Sequence, residues 1–204
     1  MKKRFLIIIS FIFIFILITG SWIIKIYNNL IRLNENIKNQ WGQVENVYQR
    51  RSDLIPNLVN TVKGSASFEK GTLTQIVESR AKATSIHINA DNLSQDQINK
   101  FQKAQENLNN SIGKLFFIME NYPTLKATQN FSELQNQLEG TENRINVERN
   151  RFNDQVNNFN TYRNQFPEII ISNFFSKFKE KGYFKSQINA NKTPIVDFSV
   201  ILVI

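Results

Sequence analysis

Residues 5–24 are twenty consecutive residues without a charge, and Phe and Ile dominate them as far as Ile18. A helix of that length rises about 30 Å at about 1.5 Å per residue, which matches the hydrocarbon thickness of a bilayer. The spacing therefore predicts a membrane span over residues 5–24, preceded by a basic flank over residues 1–4 that holds Lys2, Lys3 and Arg4. A secretory signal begins in the same way. Thr19-Gly20-Ser21, however, is a poor small-x-small cleavage site, and the apolar run resumes at once with Trp22-Ile23-Ile24, so a retained anchor is expected. No cysteine follows the run, which excludes a lipid anchor on a thiol. Trp22 at the end of the span and Tyr27 just beyond it have the character of interfacial aromatic anchors. Lys2, Lys3 and Arg4 nearly balance Lys25, Arg32 and Lys38 across the span, and the charge density at the first residues leans toward an inside N-terminus with the body exported.

Residue counts remove several kinds of chemistry. The chain has no cysteine and one histidine, His87, which leaves no thiolate or multi-histidine metal centre, no iron–sulfur cluster and no cysteine nucleophile. Its seven glycines stand at least seven positions apart, so no Gly-rich phosphate loop can form. No cofactor is expected. The formal charge is +8, and three of those charges sit on the basic flank. The remaining 22 basic and 17 acidic residues make a mild excess, too small for a nucleic-acid surface.

Beyond the span the apolar residues recur at helical spacing. Ile26, Leu30, Leu33, Ile37, Trp41, Val44, Tyr48, Arg51, Ile55, Leu58 and Val62 alternate in steps of three and four, which predicts one long first helix. Pro56 lies inside it and removes a backbone donor, so a kink near residues 53–56 is expected, with Asp53 placed to cap the restart. Gly64 weakens the end, and residues 68–71 read as a turn. A second helix carries Leu73, Ile76, Val77, Arg80, Ala81 and Thr84 on one side and ends near residues 87–92. Ser94 followed by Gln97 is a capping-box pair that opens a third helix, with the stripe Ile98, Phe101, Gln105, Leu108, Ile112, Leu115, Met119 and Tyr122. A fourth, from about Leu125 or Asn130 to Gln165, shows Phe131, Leu134, Leu138, Ile145, Phe152, Val156, Phe159 and Phe166.

Four such stripes joined by short links predict an all-α chain, in which an N-terminal transmembrane helix leads into an elongated antiparallel four-helix bundle over residues 25–166. Residues 167–185 then read as a short amphipathic helix or a cap on the open end of the bundle. The amphipathic reading, with Ile169, Ile170, Ile171, Phe174, Phe175 and Phe178 crowded together beside Lys177, Lys179, Lys181 and Lys185, would suit an anionic lipid surface. Residues 186–204 read as a loose tail with an apolar end. The 28 asparagines fall mostly off the stripes and are attributed to compositional drift.

Residues 27–64, with Trp41-Gly42-Gln43-Val44-Glu45-Asn46 and Arg50-Arg51-Ser52-Asp53-Leu54-Ile55-Pro56-Asn57-Leu58-Val59, resemble the signature stretch of the bacterial LemA family. Tyr122-Pro123, Leu125-Lys126-Ala127, Gln129-Asn130-Phe131 and Leu138-Glu139-Gly140-Thr141-Glu142-Asn143-Arg144-Ile145 agree with it, as do Tyr162, Phe166-Pro167, Tyr183-Phe184 and Val196-Asp197-Phe198. Phe68 stands where the family usually has a histidine, and the apolar run after Phe198 extends past the usual end. The resemblance implies a single-pass protein of the bacterial inner membrane with a helical-bundle body and no established enzymatic activity. Its implied partners are the lipid bilayer and an envelope protein, with a membrane metalloprotease as one candidate because such genes often neighbour the family.

One polar constellation remains. Arg50, Arg51 and Asp53 on the first helix, and Glu139, Glu142 and Arg144 on the fourth, would face each other if those helices run antiparallel. A buried charge network that fixes helix register is the favoured reading. The alternative is acid–base chemistry by Glu139 and Glu142, which share a helical face at three-residue spacing. No nucleophile, metal-ligand set or substrate-cradling loop accompanies that pair. His87 reads as a solvated or helix-capping side chain.

Overall fold

A computed structural model describes residues 2–63 and 70–185. Of the turn expected over residues 68–71, the last two, Lys70 and Gly71, are already helical and the rest lies outside the described residues, as do Gly64 and the tail over residues 186–204. Among the described residues the regular structure is helical throughout: α1 (Lys2–Lys63), α2 (Lys70–Ser85), α3 (Gln95–Met119), the single turn α4 (Pro123–Lys126), α5 (Gln129–Asn164) and α6 (Glu168–Phe174), followed by a 3-10 turn over Ser176–Phe178.

Helix α1 is one element of 62 residues, on the order of 90 Å long. Its first third carries an apolar stretch long enough to cross a membrane, and that window is 0% buried against the rest of the chain. From Ile26 onward its apolar stripe turns inward, with Ile26, Leu30, Ile37, Trp41, Val44, Tyr48, Ile55, Leu58 and Val62 buried. The kink expected at residues 53–56 does not interrupt the helix. A proline at 56 leaves the carbonyl of Ser52 without its intrahelical donor, and Arg80 on α2 supplies a replacement, Nε donating to Ser52 O at 2.9 Å. Asp53 caps nothing there; its Oδ1 accepts from Gln49 on the preceding turn at 2.7 Å.

The four long helices run up, down, up, down. Gln40 meets Glu148 and Arg51 meets Glu142, so α5 descends beside α1, while the Arg80–Ser52 contact sets α2 antiparallel to α1. Two apolar clusters fill the body. The one nearer the apolar arm gathers Ile26, Trp41, Tyr48, Phe101, Phe152, Phe159, Phe178 and Phe184, and the distal one gathers Ile55, Leu58, Ile76, Leu108, Leu115, Phe131 and Leu138. Burying each large side chain contributes on the order of 1.5–3 kcal/mol.

The expected stripe of α2 is partly wrong. Val77 is half-exposed and Ala81 is exposed, whereas Thr72, Leu73, Ile76, Ser79 and Ala83 face inward. Small residues let α2 and α3 approach, and Ser79 Oγ donates to Ser111 Oγ at 3.1 Å. Helix α3 follows its expected stripe, and its N-cap forms with Gln97 N–H donating to Ser94 Oγ at 3.4 Å. Only half of the capping box is made, because Gln97 Oε1 has no partner among the described residues. Helix α5 ends at Asn164, which leaves Phe166 beyond it and strongly exposed instead of on its stripe.

Only residues 168–174 of the expected C-terminal helix are α-helical. Phe178 is fully buried and caps the core edge-on against Tyr27, the rings 5.4 Å apart. Phe174 and Ile170 face outward. After the 3-10 turn the chain is extended and runs back along the body between α3 and α5. Those two helices pack on α2 and α1 respectively and scarcely touch each other. The extended strap fills their seam.

Candidate functional site

The polar constellation condenses around Arg51. Its side chain is 3% exposed, and Nη1 donates to Glu142 Oε2 at 2.8 Å while Nη2 donates to Gln105 Oε1 at 2.8 Å and to Gln105 O at 3.2 Å. The guanidinium also lies 5.1 Å above the ring of Tyr48, a favourable cation–π position. Burial pushes the Tyr48 phenol up to about 12. Gln105, which breaks the apolar stripe of α3, further donates to the carbonyl of Ala83 at the end of α2. One arginine therefore ties α1 to α5 and, through Gln105, to α3 and α2. Arg50, Asp53, Glu139 and Arg144 lie outside this knot on exposed faces, and Glu139 accepts from Gln135 on its own helix. Glu139 and Glu142 are thus held by different partners, Glu142 by a guanidinium.

A second constellation lies along the strap and was not singled out by sequence. Lys181 donates its N–H to Asn160 Oδ1 and accepts from Asn160 Nδ2, at 3.0 and 2.9 Å. Tyr183 does the same with Gln95, at 3.0 and 2.9 Å. Phe184 pairs with Asn153, both bonds at 2.9 Å. Lys185 pairs with Gln102 at 3.2 and 2.8 Å, and its carbonyl also accepts from Arg149 at 2.8 Å. The remaining amide, Gly182 N–H, donates to Leu93 O at 2.8 Å. Five successive backbone N–H groups are satisfied without a neighbouring strand, as a buried backbone requires. A carboxamide carries an acceptor and a donor side by side, so it can grip both polar groups of one residue as an adjacent β-strand would.

Side-chain fit supplements that backbone grip. A Cβ on Gly182 would stand 2.5 Å from Gln95 Cα, so only glycine fits the close approach to the start of α3. Phe184 enters a cage of Trp41, Phe101 and Phe152, with ring centroids 5.4 to 6.4 Å away. Arg149 covers its ring at 5.0 Å. Lys181 is buried, its ammonium donates to Asp91 O at 3.0 Å, and desolvation pulls its titration below the ordinary lysine value.

Asn153 and Asn160 stand seven residues apart on α5, and Gln95 and Gln102 seven apart on α3, so each pair lines one face of its helix two turns apart. That spacing was the available signal. It was obscured because asparagine is so abundant that its placement reads as drift.

At the end next to the apolar arm, Trp22 is partly exposed and Tyr27 half-buried. Tyr27 packs edge-on against Phe175 at 5.1 Å. Trp22, Lys25, Arg32, Tyr162 and Glu168 line a cleft there. Nearby, Lys38 bridges Glu35 at 2.8 Å and Asp91 at 2.6 Å. The hydrogen bond from Lys38 holds the Asp91 carboxyl below its ordinary value, and bonds to Asp91 and Glu35 hold Lys38 above its own. No group of three or more potential metal ligands converges among the described residues. His87 lies just past the end of α2 and is exposed.

Comparison with known proteins bears on this arrangement. The family model described as the LemA family matches residues 40–198. A protein named Protein LemA from Metamycoplasma hominis is 26% identical over 118 residues, a match covering 58% of this chain and 50% of that protein. The chain thus spans about half the length of the curated relative it matches.

Proposed function

This chain belongs to the LemA family, and we propose that it acts as a non-enzymatic, membrane-anchored scaffold of the bacterial envelope, its bundle held at the bilayer to receive a protein partner. The observation that supports this reading is the continuity of α1, whose bare apolar third and buried core stripe belong to one helix. A bundle mounted in this way is fixed in height and tilt instead of swinging on a linker. A membrane metalloprotease is the first candidate partner. Carbonate-washed membranes should retain the full chain and lose a version lacking residues 2–24. Cross-linking in intact cells should capture a defined partner with the full chain only. An unchanged partner set after removal of the anchor would sink the proposal. Glu142→Gln should keep full cellular function, and its loss in a normally folded variant would return the acid–base reading.

A second reading, a lipid-surface organiser, draws on the C-terminal region. Phe166, Ile170 and Phe174 are exposed on and around α6, beside the stretch of α1 that carries Trp22, while Lys177 and Lys179 are also exposed. Such a pairing of apolar and basic groups suits the headgroup layer of an anionic membrane. Replacing Ile170 and Phe174 by serine should lower salt-sensitive binding of the full chain to anionic vesicles, and binding indifferent to both changes would reject it.

A further inference from the structure

We infer that the seam between α3 and α5 is a peptide-binding groove, occupied in this chain by its own strap, and that its ligand is an extended segment of a partner protein with glycine followed two residues later by phenylalanine. The strap defines that chemistry. Asn160, Gln95, Asn153 and Gln102 grip backbone, and among them Asn160 also donates to the Tyr183 hydroxyl at 3.2 Å, so the grip itself asks little of the side chains of an extended segment. The Gly182 position admits no Cβ, and the cage of Trp41, Phe101 and Phe152 two residues on takes one aromatic ring. All of these receptor groups stand on α1, α3 and α5. Those helices are oriented by Arg51, Glu142 and Gln105, whose hydrogen bonds go to one another and to Ala83 and not to the strap. Withdrawing the strap would therefore leave a lined-up row of carboxamides and an open aromatic pocket on a standing frame.

The geometry also sets direction. The strap runs with α3 and against α5, since Tyr183 and Lys185 meet Gln95 and Gln102 in that order while Lys181 and Phe184 meet Asn160 and Asn153. Three residues of extended chain cover about 10 Å, close to the roughly 10.5 Å that seven residues of helix span. The two α5 asparagines, seven residues apart, thus reach Lys181 and Phe184, three residues apart on the strap.

This inference names the partner chemistry for the scaffold reading and rests on it. Its test is a binding measurement with a defined peptide, so a failure leaves anchoring and partner capture untouched, while lost capture with intact peptide binding would count against the scaffold alone. The probe is a fluorescent peptide of residues 179–185, Lys-Glu-Lys-Gly-Tyr-Phe-Lys with blocked ends, read by anisotropy against the full chain in detergent micelles. Phe184→Ala empties the aromatic cage and weakens the strap's hold on the groove, while its backbone bonds remain. A tethered strap competes at an effective concentration in the millimolar range, so the variant should bind the peptide on the order of 10- to 100-fold more tightly than the wild-type chain. Peptides with alanine in place of the glycine or of the phenylalanine should bind at least about tenfold more weakly. A second form guards against misfolding of the variant: a specific protease site inserted between Lys179 and Glu180 is cut after folding, and the severed strap should exchange for the labelled peptide. The inference is overturned if neither form binds the peptide while both keep the wild-type helical signal, or if the alanine peptides bind as well as the parent. A wild-type chain that exchanges straps between copies into a stable dimer would also overturn it, by giving the groove to a second copy.

Discussion

Replacing Arg51 by methionine keeps an apolar stem of similar length and removes the guanidinium. The loss has three parts. Gln105 Oε1 loses its donor in a buried position, which costs about 1–3 kcal/mol. The cation–π contact with Tyr48 contributes about 0.5–2 kcal/mol. Glu142 loses its partner but is 34% exposed and can rehydrate, so its share is small. Together these predict a destabilisation of roughly 2–4 kcal/mol. The sharper consequence concerns the double change. Glu142→Met alone strands the 3%-exposed guanidinium without a counter-charge, a situation that costs about 3–5 kcal/mol. Adding Arg51→Met to it removes the stranded charge, so in that background the arginine substitution should be neutral or stabilising. Urea unfolding of the four chains in detergent micelles, followed by far-UV circular dichroism, gives the cycle. If Arg51→Met costs the same 2–4 kcal/mol in both backgrounds, the knot around Arg51 is not an ion pair and the reasoning fails.

Other consequences follow from the same contacts. Arg80→Met should destabilise by about 1–3 kcal/mol by stranding the Ser52 carbonyl. In a Pro56→Ala background, where a backbone N–H returns, that penalty should fall below about 1 kcal/mol in the same urea assay. The Asp91 carboxyl is held below its ordinary value of 3.8 by Lys38, so its contribution is present above that value and lost as pH falls through the folded value. Lys38, held above 10.5, contributes below that value and loses it as pH rises through its folded titration. The difference in urea midpoint between wild type and Asp91→Asn should therefore be level between about pH 5 and 9 and shrink in acid; a difference that grows in acid would contradict the pairing. Gly182→Ala should release the strap, seen as faster proteolysis after residues 181 and 185 with the helical signal retained. Unchanged protection would show that a Cβ fits.

Much of the body was legible because it follows one rule. The stripes of α1, α3 and α5 are strongly apolar and of helical period, and apart from Phe166, which lies past the end of α5, they fall where periodicity puts them. Helix α2 was harder, since its inward face is built from Thr72, Ser79 and Ala83 as much as from Leu73 and Ile76, and small polar residues in a tight helix pair look like surface. At Pro56 local reasoning could find the carbonyl left without a donor, but not that Arg80, 24 residues later in sequence, would supply one. Antiparallel helices were enough to expect that Arg51 meets Glu142, but not that the neighbouring Arg50, Asp53, Glu139 and Arg144 would face water, because a shift of one residue rotates a side chain by about 100° around the helix. The strap was legible only as one of two readings of residues 167–185, a cap on the bundle, and its extended course and its grips were not. It has no periodicity of its own, and its grips are asparagines and glutamines scattered among many others.

The seam that α3 and α5 leave open is closed by that strap, an extended segment held by side-chain carboxamides. Backbone hydrogen exchange of the full chain, resolved at residues 181–185, addresses it directly. Each of the five amides has an acceptor, so all five should exchange orders of magnitude more slowly than in the free peptide of residues 179–185, and Asn153→Ala should release Phe184 first. Exchange at free-peptide rates beside slowly exchanging amides in α5 would show that the seam is not closed by residues 181–185.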